Sequence, residues 1–225
     1  MLNVGFIGAG NMGTAIIKGI ASSQMADQIK LFAYDTSLDK LSALKPFGVE
    51  ACQNNADIVS QCKYVFLAIK PQMFDAVLGE IGSLFEKNHV IISIAAGITS
   101  AYIKSKTLAE AKVVTVMPNT PLLLGEGATA LAKSDGVDEA EFEFVCSIFE
   151  SCGEIAVLDE SKMKEVIAIN GSSPAFIYLF AKGFIDYAES VGIPRQTAVT
   201  LFSKSLIGSA KMITDSGYGI DELIK

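Results

Sequence analysis

Short, almost wholly apolar runs recur along the first two-thirds of the chain, and a stretch with helical spacing follows most of them. "LNVGFIG" ends on glycines, and "NMGTAIIKGIASS" then places Met12, Ile16, Ile17 and Ile20 on one helical face. "IKLFAYD" predicts a second strand. "SLDKLSALKPFG" predicts a helix with Ser37 as N-cap and Leu38, Leu41 and Leu44 on one side. The strands predicted next are "VEAC", "KYVFLAIKP", "HVIISIAAG", "AKVVTVMPN", "GATALAKS" and "EIAVLD". Helical spacing falls between them in "NADIVSQC", "QMFDAVLGEIGSLF", "SAYIKSKT" and the acid-started "DEAEFEFVCSIFESCG". Strands apolar on both faces that alternate with helices predict a parallel sheet covered on both sides.

After Asp159 the strand pattern stops. "ESKMKEVIAIN", "SPAFIYLFAKGFIDYAESVG" and "RQTAVTLFSKSLIGSAKMITDSG" predict successive helices, with Gly192 and Pro194 punctuating the last two, and "IDELIK" begins another. The expected fold is therefore α/β: an N-terminal parallel-sheet domain over residues 1–159 and an all-α helical domain over residues 160–225.

Composition narrows the function classes. The 225 residues are half hydrophobic and only 19% charged, enough for a large core with apolar area left for a subunit contact. A net charge of -7, with no basic cluster, argues against nucleic acid as a partner. Cys52, Cys62, Cys146 and Cys152 form no C-x-x-C pair, and His89 is the one histidine, so no zinc site is expected. Reduced, mostly buried thiols and an N-terminus without a basic leader predict a cytoplasmic protein. The longest apolar run, Val166 to Phe184, is interrupted by Asn170 to Pro174 and by Lys182, so no membrane span is expected.

Gly8-Ala9-Gly10-Asn11-Met12-Gly13 fits G-x-G-x-x-G between the first strand and the first helix, the context that gives this pattern meaning. The first glycine permits the tight turn, the second lets a pyrophosphate approach, and the third lets helix and strand pack closely. A Rossmann-type dinucleotide site follows. Asp35 ends the second strand, 22 positions after Gly13, where an acid holds the adenine ribose of NAD. By charge alone it leans towards NADH, although the Thr36 and Ser37 hydroxyls suit a phosphate. "AIKPQ", "SIAAGIT" and "MPNTP" end three further strands and should line the same crevice.

A bound nicotinamide implies hydride transfer. A hydroxy-acid substrate would need a side chain to handle its proton, and His89, at the wrong end of its strand, is poorly placed. A cyclic imine brings its own proton on nitrogen and suits this chain better. No catalytic side chain is singled out.

In order along the chain, "GFIGAGNMGTAIIKGI", "AIKPQ", "SIAAGIT", "MPNTP", "NGSSPAFIYLF" and "PRQTAVTLFSKSLIGSAKM" together resemble the pyrroline-5-carboxylate reductases. The resemblance implies reduction of Δ1-pyrroline-5-carboxylate to L-proline with NADPH or NADH, and a helical domain that forms a homodimer or a larger homo-oligomer. It implies that Gly8, Gly10, Asn11, Met12 and Gly13 hold the pyrophosphate. Asp35, Thr36 and Ser37 would lie at the adenine ribose with Asn55 nearby. Ala68, Lys70, Pro71, Ala95, Ala96 and Gly97 would flank the nicotinamide, with Asn119 beside it, and Gly171, Ser172, Ser173 and Pro174 would line the substrate side. Members often carry an Asn-Arg-Ser-like triplet where Asp35-Thr36-Ser37 stands. They continue with a substrate-carboxylate loop of the type S-P-G-G-T-T, which the resemblance places beyond Lys225.

The interruption at Asn170 to Pro174 reads as one helix ending and another starting, with Ser173 as N-cap and Pro174 at the first position. Such a helix start attracts a carboxylate. Two other readings stand beside this one. A β-hydroxyacid-type dehydrogenase would want K-x-x-x-N, but Lys164 and Asn170 are six apart. A dinucleotide-binding regulatory protein would keep the glycine loop without the chemistry.

Overall fold

In the computed structural model, which describes residues Met1–Lys225, the chain divides into two compact units, Met1–Ser172 and Ser173–Lys225. The first unit is built on eight strands: β1 (Leu2–Ile7), β2 (Ile29–Tyr34), β3 (Glu50–Ala51), β4 (Tyr64–Leu67), β5 (Val90–Ser93), β6 (Lys112–Met117), β7 (Gly127–Lys133) and β8 (Gly153–Val157). Its helices are α1 (Asn11–Ser22), α2 (Leu38–Leu44), α3 (Asn55–Gln61), α4 (Phe74–Ile81), α5 (Ser100–Lys106) and α6 (Glu139–Glu150).

The sheet runs β3-β2-β1-β4-β5-β6-β7-β8. From β3 to β6 every pairing is parallel, with β1 between β2 and β4. Between β1 and β4 the strand order reverses, which opens a crevice at their carboxyl ends. β7 departs from the expected all-parallel sheet by running antiparallel to β6, while β8 is parallel to β7. The cause is the length of the link. Residues 118–126 hold only a tight turn at Thr120–Leu124, and a parallel return needs a crossover of a dozen residues or more.

Alternating strand residues feed two cores. Val4, Phe6, Phe66, Ile92 and Val116 pack with Ile16, Ile17 and Ile20 of α1 and with Phe142 and Phe149 of α6. Ile7, Val65, Leu67, Ile91 and Val113 pack on the opposite face with α3, α4 and Ile103 of α5. The Phe6 and Phe66 rings stack across β1 and β4 with centroids 4.4 Å apart. This period-two division between two covered faces explains why the central strands read as unbroken apolar runs.

At the start of α6, Asp138 and Glu141 form a capping box. The Glu141 side chain is 7% exposed and meets Lys63 at 2.8 Å and Lys112 at 2.9 Å. Burial works to raise its pKa, but the two lysines and the Asp138 N–H outweigh it and hold the carboxyl below the ordinary range. Lys63 is 41% exposed, so solvent screens part of the gain. Glu141→Gln is expected to cost about 2 kcal/mol at pH 7. Because the folded pKa is depressed, the carboxylate's contribution is complete above about pH 4.3, where an unfolded glutamate titrates, and is lost as pH falls further. Urea unfolding should show the difference between wild type and variant closing below that pH; a gap that persists in acid would refute the assignment.

Beyond β8, "ESKMKEVIAIN" is not the expected helix. It forms two tight turns, Glu160–Lys162 and Glu165–Ala168. Local capping competes with helix propagation here: Asp159 accepts the Ser161 N–H at 2.8 Å, and the Glu160 carboxylate is drawn to Ser100.

The second unit contains α7 (Ser173–Ser190), α8 (Arg195–Asp215) and α9 (Ile220–Leu223). Phe184 stacks on Phe202 at 4.7 Å, and Phe180 meets Phe184 edge-on at 4.8 Å. Phe176, Leu179 and Leu201 remain 66%, 67% and 64% exposed, a larger apolar face than two helices hide from each other. No helix is long and apolar enough to cross a membrane.

Candidate active site

The glycine loop sits at the switch point. Gly8 donates its N–H to Tyr34 O at 2.8 Å and takes φ +100, the left-handed region, while Ala68 N–H bonds Ile7 O at 2.9 Å. β1, β2 and β4 thus meet at the adjacent residues Ile7 and Gly8. A Cβ on Gly8 would lie 2.6 Å from Ala68 O, and one on Gly13 would lie 2.8 Å from Gly8 O. A Cβ on Gly10 would meet no protein atom within 4 Å. Gly10 is therefore not required by internal packing, and the space beside it suits an outside group. Gly10 is also the N-cap of α1 and offers no side-chain cap. A phosphate fits such an end, where backbone N–H groups and the dipole favour an anion.

From this loop a cleft of about 480 Å³ extends along the carboxyl ends of β1, β2 and β4. It gathers Gly8, Gly10, Asp35, Thr36, Asn55, Ala68 and Lys70 from the residues expected on sequence grounds. Asn11 opens α1 at the surface, Met12 packs partly against the core, and Gly13 is buried. Pro71 starts a tight turn directly after Lys70. Asn55 is buried and donates to Glu80 Oε2 at 2.9 Å.

Asp35 is more heavily engaged than its place in the sequence reveals. Oδ2 accepts the Ala9 N–H at 2.8 Å and Oδ1 accepts the Ser37 N–H at 2.9 Å. Lys40 Nζ lies 3.3 and 3.2 Å from the two oxygens. Burial pushes the Asp35 pKa up, but these hydrogen bonds and the lysine charge bring it net below the ordinary value. The carboxylate is ionised at neutral pH and serves as a strut between β2 and the glycine loop. Ser37 caps α2 by position, without a side-chain hydrogen bond to the helix. Lys40 lines the same cleft; its only mark in the sequence is a cation five positions after the strand-ending acid.

A second cleft of about 250 Å³ lies beyond the ends of β5 and β6. Ala95, Gly97, Ile98, Met117, Met163 and Lys164 are among its walls. Gly97 takes φ +77, and Ala96 is exposed beside it. Asn119, expected next to the nicotinamide, lines neither cleft. It is 7% exposed, and its amide accepts the Ala128 N–H at 2.9 Å and donates to Asn170 O at 3.2 Å. Asn170 in turn donates to Met117 O at 2.7 Å and to Ala128 O at 2.9 Å. These two asparagines lock the β6–β7 corner to the end of the first unit. Gly171 packs near Met117 Sδ, Ser172 N–H bonds Ile167 O at 2.7 Å, and Ser173 and Pro174 open α7.

A mostly parallel sheet with a glycine loop at its switch point, an anion-receptive helix start and a cleft along the strand ends defines a dinucleotide-binding protein of Rossmann type. Residues 3–97 match the family model described as NADP oxidoreductase, coenzyme F420-dependent, and residues 160–225 match that of pyrroline-5-carboxylate reductase dimerisation. The pyrroline-5-carboxylate reductase of Escherichia coli (strain K12) is 34% identical over 95% of this chain and 80% of its own length. Pyrroline-5-carboxylate reductase 3 of Danio rerio is 32% identical over 96% of this chain and 75% of its own. Among solved structures, Plasmodium falciparum pyrroline carboxylate reductase with NADP bound superposes with a TM-score of 0.89 at 32% identity, covering 99% of this chain and 82% of that one. A Streptomyces aurantiacus imine reductase, at 14% identity and a TM-score of 0.64, shares the fold. The chain belongs to the pyrroline-5-carboxylate reductase family.

Proposed function

We propose that this protein reduces Δ1-pyrroline-5-carboxylate to L-proline with NAD(P)H, the last step of proline synthesis, as a homodimer or larger homo-oligomer in the cytoplasm. The observation that carries the reading is the glycine loop at the switch point, within a chain whose relatives over 95% of its length are reductases of this substrate. The cofactor supplies the hydride. The α1 start and the Gly10 backbone receive the pyrophosphate, and Asp35 keeps the loop in the conformation that does so. Lys70, Ala95 and Gly97 flank the nicotinamide face. Gly171, Ser172 and the first turn of α7 at Ser173 and Pro174 serve the substrate side, and Asn119 supports that side through Asn170. The carbon of the N-protonated imine accepts the hydride while the C=N π pair becomes the nitrogen lone pair, so this side of the reaction demands position more than an enzyme acid. Residues 1–159 carry the cofactor function and residues 160–225 the substrate and dimer functions.

Of the two cofactors, NADPH is preferred. An Asp35 already holding two N–H groups and a lysine has little left for a ribose diol, and Lys40 brings a cation to the same cleft beside the Thr36 hydroxyl. The test is oxidation of NADPH and NADH in parallel with Δ1-pyrroline-5-carboxylate. Turnover with lower KM for NADPH is expected, and Lys40→Ala should raise that KM about tenfold, one charge-assisted contact, with little change for NADH. Cofactor binding without turnover would favour the regulatory reading instead, and equal loss for both cofactors would remove Lys40 from the phosphate.

A further inference from the structure

Glu160 belongs to none of the roles above. It lies in the first tight turn after β8, yet its carboxylate reaches the start of α5: Oε1 accepts the Ser100 N–H at 2.7 Å, and Oε2 accepts the Ser100 hydroxyl at 2.6 Å. Ser100 is 7% exposed. The two residues are sixty positions apart in sequence. Short, charge-assisted bonds of this kind are among the stronger polar contacts in a protein. They are also directional, since a two-point contact fixes orientation as well as distance.

What the contact joins gives it meaning. Ser100 follows directly on the turn Ala95 to Thr99, in which Ile98 N–H bonds Ala95 O at 3.4 Å, and Gly97 leaves that turn with little side-chain packing of its own. Glu160 precedes Met163 and Lys164, and the Met163 N–H bonds Glu160 O at 3.1 Å. One wall of the 250 Å³ cleft is the turn, another is the Met163–Lys164 segment, and the end of β6 at Thr115–Met117 completes it. Glu160 itself lines this cleft and also a polar groove of about 410 Å³ behind it, containing Lys104, Asp135 and Asp159. It is thus both the tie between the two walls and the partition between an apolar cleft and a wet groove.

We infer that Glu160 is a positioning residue for hydride transfer: through Ser100 it sets the Ala95–Gly97 turn against the Met163–Lys164 wall and keeps groove water out of the cleft between them. The inference rests on the reductase reading for the use of that cleft. It asks for a carboxylate or an isosteric amide at this position. A glutamine amide oxygen accepts the Ser100 N–H, and its NH2 donates to the Ser100 hydroxyl oxygen, so the two-point contact survives without charge.

The experiment uses the full chain with Glu160→Ala, Glu160→Gln and, as a remote control, Asp138→Ala, which removes the N-cap side chain of α6 and its contact with Lys112. Wild-type turnover is measured first, so failure of the reductase reading shows there and not in the variants. For Glu160→Ala, kcat/KM for the imine is expected to fall about tenfold or more, with the Kd for 2′,5′-ADP, a probe of the adenine half alone, unchanged within about twofold. Glu160→Gln should keep kcat/KM within about threefold, and Asp138→Ala should lower Tm without touching kcat/KM. Wild-type kinetics in Glu160→Ala would overturn the proposal. So would equal weakening of 2′,5′-ADP binding, which marks a general loss of structure, or failure of glutamine to rescue.

Discussion

Gly8→Ala is expected to cost about 2–4 kcal/mol of stability, combining left-handed strain with a backbone clash, and to weaken cofactor binding at least a hundredfold. The native φ of +100 disfavours any side chain, and the added carbon would lie 2.6 Å from Ala68 O and 3.0 Å from Ala68 C. Those are backbone atoms at the end of β4, held to β1 by the Ala68 N–H, so they give way only if the two central strands separate. Relief by moving the loop instead would carry Gly10 and Gly13 away from the phosphate position. Gly10→Ala separates the two effects: with nothing within 4 Å of its Cβ, stability should stay within about 0.5–1 kcal/mol while affinity still falls, because that methyl occupies the ligand's space. Urea unfolding and fluorescence titration with NADPH report the two quantities. A Gly8→Ala protein as stable as wild type with unaltered affinity would show that the loop does not work as described.

Asn170→Leu should cost about 3 kcal/mol, since it strips the donor from two carbonyls, Met117 O and Ala128 O, and leaves them without an adequate substitute. For a protein of this size that is a fall in Tm of roughly 6–12 °C. Leucine has the branched skeleton of asparagine with bulkier methyl groups, so the loss reflects missing hydrogen bonds and some crowding rather than a cavity. Asn119→Leu breaks the same corner from the other side and should give a similar figure, whereas the double variant should cost less than the sum because the two amides share one network. A loss under about 1 kcal/mol for Asn170→Leu, or strict additivity, would mean that solvent satisfies those carbonyls.

The central strands were legible because each is an apolar run between turn residues, and burial on both faces is what makes such a run uninterrupted; β3 and β8 at the two sheet edges are largely exposed. The glycine loop was legible because its meaning is local: strand, turn and helix are contiguous. Asp35 was legible as a position but not as a strut, because its partners Ala9 and Lys40 come from other elements. The reversal of β7 was available in principle from the short stretch 118–126, but the strand's composition carries no direction. Residues 160–168 have helical spacing and nevertheless form tight turns, since a contact with Ser100 sixty positions away decides their path. Asn170 read only as a helix breaker: a polar residue in an apolar run announces that it has partners, never which ones.

The asparagine corner also has a consequence for synthesis. A chain growing from its N-terminus completes β1, β2, β4, β5 and β6 with their covering helices in order, each new element finding its neighbour already made. The corner between β6 and β7 is different, because the donor it needs is Asn170, the last region of the first unit to leave the ribosome. Until then the corner lacks both the amide that donates to Met117 O and Ala128 O and the carbonyl that accepts from the Asn119 amide, so a nascent chain halted before residue 170 should exchange the Ala128 amide hydrogen, which Asn119 Oδ1 holds, faster than one halted at residue 225.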